Sequence, residues 1–153
     1  MRSYRECSLD DKCLIYKSRN LETNRRQMIN QDIITVNEHE IFWKHQVETQ
    51  KYRFFKVEEK QEILSIITFF RFAGKTCFWG FYLTAAGMQN KWSNWINSEL
   101  GAIHIAKDVL DMEILYCETL RSNQVVLNLH KRSGFAESVD QTSEGCVLME
   151  KLL

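Results

Sequence analysis

No proline occurs in the 153 residues, an absence to which no function attaches. No excess of charge occurs either: 20 Lys and Arg stand against 20 Asp and Glu. Such a chain carries no field to recruit nucleic acid or an anionic membrane. No apolar run approaches the ~20 residues that cross a bilayer. The opening stretch, Met1-Arg2-Ser3-Tyr4-Arg5-Glu6, is polar, so no signal peptide is expected and the cytoplasm is the expected compartment. Cys7, Cys13, Cys77, Cys117 and Cys146 form no CxxC pair. That scatter argues against zinc and against a disulfide scaffold, and leaves small core residues in a reducing compartment. What is present is ordinary for a soluble globular chain, 44% hydrophobic and 26% charged. The length predicts one domain over residues 1–153 with a core of its own.

The most informative stretch is residues 113–136, EILYCETLRSNQVVLNLHKRSGFA. Its first part, residues 114–119, is apolar and β-favouring, and too short for a stable helix. Ser122 or Asn123 then offers a side-chain oxygen to the free N–H groups of a helix start. Val126, Leu127 and Leu129 give that helix an apolar face, and Lys131 and Arg132 suit the carbonyl end of its dipole. Gly134 stops it, in the left-handed conformation that glycine adopts freely. The pattern reads strand, capped short helix, stop, strand.

Elsewhere, residues 3–8 read as an edge strand and residues 9–29 as a helix in two pieces, broken near Ser18-Arg19-Asn20-Leu21. A loop over 30–36 leads to a helix capped by Asn37, with Glu40 completing a capping box. Strands follow at 52–57, 62–72 and 76–83. The last, TCFWGFYL, reads as a central strand, with Gly80 marking a bulge or a close approach. Ile96, Leu100, Ile103, Ala106 and Leu110 recur at helical spacing, which predicts an amphipathic helix over roughly 94–110. The chain closes with strands at 135–139 and 146–152 around a turn over 141–145.

Taken together, Glu118, Asn123, Leu129-His130-Lys131 and Gly134-Phe135 resemble the C-terminal acetyl-CoA motif of the GNAT N-acetyltransferase superfamily. The likeness is greatest to the branch that acetylates nucleotide-linked amino sugars in pseudaminic acid synthesis. The front third is similar to the same branch, through Arg19-Asn20, Arg25 and Arg26, Met28, and Glu38-His39 with Phe42. The resemblance implies an α+β fold, a mixed and mostly antiparallel sheet flanked by helices. It implies transfer of acetyl from acetyl-CoA, by direct attack, to the 4-amino group of a UDP-linked 4-amino-4,6-dideoxy sugar. Acetyl-CoA and that amine are the implied partners, with a homodimer left open and no nucleic acid, membrane or metal. A protein N-terminus or another small amine as acceptor, and a domain that binds without catalysis, are the alternatives.

Acetyl transfer needs a held pyrophosphate, an open strand edge with an oxyanion donor, a neutral amine and a proton for the departing thiolate. The resemblance assigns the open edge to Phe81, Tyr82 and Leu83, where the strand over residues 78–83 splays from the strand over residues 115–119. His130, with an imidazole that exchanges protons near neutrality, stands where the wider superfamily often has a tyrosine that protonates the sulfur. Tyr82 is the competing acid. Glu118 is a candidate base acting through water, and Cys117, buried in mid-strand, is a poor nucleophile. Asn123 and Lys131 fall on the cofactor arm, and Arg19, Asn20, Arg25, Met28, His39 and Trp79 on the acceptor side. At the pyrophosphate loop the resemblance breaks: Trp92-Ser93-Asn94-Trp95 replaces the usual Gly-x-Gly. Ser93 or Asn94 is left to cap the helix there, with Lys91 for charge.

Overall fold

Nearly every side chain of Thr76–Leu83 is apolar or aromatic, and these residues form β4 in the middle of a sheet covered on both faces. The computed structural model describes residues 2–140 and 142–153. Among them, seven strands pair in the order β1-β2-β3-β4-β5-β7-β6: Arg2–Glu6, Tyr52–Glu59, Glu62–Ala73, β4, Ile114–Leu120 (β5), Ala136–Glu137 (β6) and Cys146–Leu152 (β7). Every pairing is antiparallel except β4 with β5. The sheet is mixed and mostly antiparallel, as the sequence predicts.

Helices cover its two faces. On one side lie α1 (Lys12–Asn20), α2 (Glu22–Arg25) and α3 (Val36–Phe42), over Ile15, Trp43, Phe54, Ile66 and Tyr82. On the other lie α4 (Lys91–His104, continued to Val109 by a wider turn) and α5 (Gln124–Arg132). Beneath these two, Ile67, Phe69, Cys77, Trp79, Ile105 and Met149 form the larger core.

Several local expectations shift for identifiable reasons. The α3 cap is Thr35, not Asn37: its hydroxyl accepts from Glu38 N–H while the Glu38 carboxylate accepts from Thr35 N–H, at 2.6 Å. The capping box is real but lies two residues upstream, where the first free donors are. The second helical piece stops at Arg25, so Arg26 and Met28 lie in the turn beyond it. Gly80 holds regular register with Thr68, and the irregularity in that ladder falls between Phe70 and Ala73. Strand β6 has two residues only, and Gln141, which opens the expected last turn, lies outside the described residues, as does Met1.

The largest revision concerns α4. It begins at Lys91, and its buried residues include Trp95, Ser98, Glu99, Gly101 and Ala102, while Ile96 and Leu100 are about half exposed. The helix turns its smaller side chains to the sheet because it lies close against it. A Cβ on Gly101 would stand 2.4 Å from the Tyr4 ring. Closeness of approach, not side-chain hydrophobicity, selects the buried face.

Candidate active site

The β4–β5 ladder is short. Thr76, Cys77 and Phe78 pair with Ile114, Leu115 and Tyr116, and pairing ends there although both strands run on. Thr84 N–H donates to Leu64 C=O on β3. By the alternation of an antiparallel ladder, Tyr82 and Gly80 also turn their backbone groups to β3. Trp79, Phe81 and Leu83 therefore turn theirs to the side from which β5 has departed.

Of these, Leu83 is already engaged. The Asn24 carboxamide accepts from Leu83 N–H at 3.3 Å and donates to Leu83 C=O at 2.8 Å, imitating one residue of a neighbouring strand. Backbone groups from Trp79 and Phe81, not from Tyr82 or Leu83, are thus the ones aimed at the opening. Asn24 carried no sequence signal, since its partner is 59 residues away.

A cavity of about 540 Å³ fills the opening and extends under α1–α3. Phe42, Tyr52, Phe54, Phe70, Trp79 and Phe81 make its aromatic wall. It gathers many predicted residues: His130, Glu118, Tyr82, Asn123, Arg19, Met28, His39 and Trp79 all line it. Asn123 caps α5, its side-chain oxygen accepting from Val126 N–H at 3.4 Å. His39 is buried among Tyr16, Phe42 and Trp43, with no hydrogen-bond partner for Nε2 among the described residues. Burial, and then the Lys12 charge, holds its pKa below the ordinary histidine value. Burial likewise raises the Tyr82 phenol, which makes it a weaker acid, and it raises the Cys117 thiol.

Glu118 is nearly buried on β5. It accepts from the Thr142 hydroxyl at 3.2 Å and faces Arg71 at 3.5 Å. His130 is 3% exposed, far from a surface residue. Its ring meets Trp79 edge-on at 5.6 Å, and Nδ1 lies 2.8 Å from Oε1 of Glu99 on α4. Glu99 went unremarked in the sequence. Its one signal is a carboxylate in helical step with Trp95, Ser98 and Ala102.

Three of the predicted polar residues have their side chains engaged elsewhere, Arg19 among them although it lines the cavity. Arg19 bonds the carbonyls of Asn30 and Asp32, and Arg25 those of Asn20 and Gln31. Asn20 pairs both its amide atoms with Ile34. These three clamp the loop before α3. Lys131 is exposed and lines neither of the cavities described here, whereas its neighbour Arg132 lines the second.

Ser93 and Asn94 lie inside α4 and cap nothing: Ser93 accepts from Asn97, and Asn94 donates to Gly87 C=O at 2.8 Å. In the entry loop, Thr84 holds the N–H groups of Gly87 and Met88. A Cβ on Gly87 would stand 1.8 Å from Leu64 C=O, so this glycine serves packing on β3. Beyond the loop, Trp92, Ile96, Asn128 and Arg132 border a second cavity of about 250 Å³ between α4 and α5. Trp95 lines both cavities, and Lys91 Nζ lies 4.6 Å from its ring centroid. The strands are open, and an indole stands between the two cavities. No group of three His, Cys, Asp or Glu side chains is placed to hold a metal ion among the described residues.

The fold is that of N-acetyltransferases of known structure. The spermidine N-acetyltransferase of Vibrio cholerae, solved with CoA and spermine, superposes with a TM-score of 0.82 at 14% identity, over 99% of this chain and 95% of that one. The Campylobacter jejuni N-acetyltransferase PseH, solved with acetyl coenzyme A, gives 0.73 at 17% identity over 99% of each chain. A domain from Methanocaldococcus jannaschii gives 0.79 at 13% identity, over 100% of this chain and 99% of that one. No protein-family model matches the sequence, and no curated protein is significantly similar to it.

Proposed function

We propose that the chain is an acetyl-CoA-dependent N-acetyltransferase working by direct attack of an amine on the thioester. The observation that carries this reading is the early end of the β4–β5 ladder. It leaves strand-edge groups of Trp79 and Phe81 facing a cavity with His130 and Glu118 on its wall. A pantetheine arm laid in that gap completes the broken ladder, and the Phe81 N–H is suited to the oxyanion of the tetrahedral intermediate. The thioester then lies near His130, with the amine on the side of Glu118. The second cavity suits the ADP portion, with Arg132 and Lys91 for phosphate and the exposed Trp92 for the base. The bound arm passes along Trp95. These side chains take the place of the missing Gly-x-Gly, whose role falls to backbone N–H groups elsewhere.

For the acceptor, the resemblance in sequence favours the 4-amino group of a UDP-linked 4-amino-4,6-dideoxy sugar, and Met28, His39 and Trp79 on the cavity wall are in keeping with it. A second reading, a small cationic or aromatic amine such as a polyamine, is favoured by one observation. Arg25 and Arg26, the guanidinium groups suited to a diphosphate, are engaged by the Asn20 and Gln31 carbonyls and by the Glu22 carboxylate, while the cavity wall carries the Glu118 carboxylate. Aromatic faces and a carboxylate attract cations.

Release of free thiol from acetyl-CoA, measured with UDP-amino sugars, polyamines and N-terminal peptides in parallel, tests both the class and the acceptor. Turnover with one amine class names the acceptor. No release with any of them, and no binding of acetyl-CoA, overturns the acetyltransferase reading.

A further inference from the structure

Glu99 has no exposure at all and His130 almost none, yet they come from different helices to a contact of 2.8 Å. A buried carboxylate gives up its hydration, and an apolar pair of the same volume would usually pack there more cheaply. A purely structural site would satisfy both carboxylate oxygens. Here Oε2 has no partner among the described residues. Among the described residues the imidazole is the hydrogen-bond partner of this carboxylate, and its compensation is greatest when the imidazole is protonated. The ring that receives the contact also lines the acyl-transfer cavity.

We propose that Glu99 is the positioning residue of a Glu99–His130 dyad, and that His130 carries the reaction's proton from the attacking nitrogen to the departing sulfur. The inference rests on the acetyltransferase reading. A carboxylate only accepts hydrogen bonds, so Nδ1 bears the ring hydrogen and Nε2 enters the cycle as a bare lone pair. An imidazole in that tautomer cannot begin as the acid. As the amine attacks the thioester carbon, the C–N bond forms, the carbonyl becomes an oxyanion, and the nitrogen's proton passes to Nε2. The imidazolium is held by Glu99. Collapse of the oxyanion breaks the C–S bond, and Nε2 returns the proton to the thiolate. One proton moves from nitrogen to sulfur, the products are an amide and free coenzyme thiol, and His130 ends as it began. Glu99 acts as the acid does in a Ser-His-Asp triad, by fixing tautomer and stabilising the transient cation. Glu99 from α4 and the uncharged Trp79 from β4 touch the imidazole, and Cys117 and Glu118 from β5 line the wall of the same cavity. Lys91 is a further charge on that wall.

The test combines Glu99→Gln, Glu99→Asp, His130→Gln and the double variant with nitrogen NMR of the histidine ring. Glu99→Gln is expected to lower kcat by about 10²-fold, the lower end of what general acid–base catalysis contributes, with KM within twofold. Glu99→Asp recovers part of the loss. The double variant is no slower than His130→Gln alone, because Glu99 acts only through the ring. The wild-type ring shows hydrogen on Nδ1, and the Glu99→Gln ring loses that preference. A Glu99→Gln kcat within twofold of wild type, a double variant slower by the product of the two single losses, or a wild-type ring protonated on Nε2 alone each overturns the dyad. The ring signature is read without turnover. An inactive protein that shows it defeats the acetyltransferase reading and supports the pair, whereas an active protein without it defeats the pair and supports the reading.

Discussion

Single side chains in this protein are set by what burial does to them. His39 shows it most directly, since its imidazole is buried in an aromatic cluster, with Nε2 lacking a partner among the described residues. Its pKa is lowered in the folded state, first by desolvation and then by Lys12. The unfolded chain therefore binds a proton near the ordinary histidine value of ~6.5, while the folded chain resists it. Stability is expected to be fully present above that pH and to fall as the pH drops through and below it. Urea midpoints measured at pH 7.5 and 5.5 should separate more in the wild type than in His39→Gln. Equal separation in the two would show that His39 is not the group responsible. The sequence placed His39 on the acceptor side without indicating its burial, because a histidine on a helix does not announce which way its helix faces.

Strands and helices carry the next set of consequences. Alternation along β4 assigns Phe81 N–H to the gap and Tyr82 N–H to the β3 ladder, so amide exchange should be fast at Phe81 and slow at Tyr82 in the free protein. Acetyl-CoA should slow Phe81 by at least about tenfold and leave Tyr82 unchanged. Equal slow exchange at both without ligand would mean a closed gap. For α4, the observed face predicts that Leu100→Gln changes stability by less than about 0.5 kcal/mol, as exposed positions do. Ala102→Leu, against the core at no exposure, should cost about 1–3 kcal/mol by overpacking. Chemical denaturation of the two variants distinguishes this face from the one that Ile96, Leu100 and Ile103 suggest. The helix was legible in the sequence and its orientation was not: apolar spacing marks two overlapping stripes, and only the nearness of Tyr4 and β3 chooses between them.

At the scale of the whole molecule, the two cavities meet at Trp95, and one extended ligand lying across both would tie α4, α5, β4 and β5 together. A ligand that binds only the folded chain at about 100 times its Kd adds ~2.7 kcal/mol. For a chain of this size that corresponds to a rise in Tm of roughly 5–10 °C. Scanning calorimetry with acetyl-CoA should show this rise, and CoA without its acetyl group should give most of it, since the ADP and pantetheine contacts are shared. No rise with either would mean that the Trp95 indole bars the passage.

The sequence by itself determined what neighbours along the chain decide. The β4 span came out as Thr76–Leu83, the break between α1 and α2 fell at Leu21, and Asn123 and Gly134 bound α5, because propensity, capping and turn chemistry act over a few residues. Through a motif it also pointed to the splayed strand pair, and to His130 and Glu118, which line the cavity there. Tertiary structure alone decided who meets whom. The Asn24 amide reaches Leu83 across 59 positions, and Glu99 reaches His130 across 31. Arg25 turns to loop carbonyls, and Trp95 comes to line both cavities. Contacts between distant segments depend on how closely layers pack and on which polar groups are left needing partners, and neither quantity is written in local order.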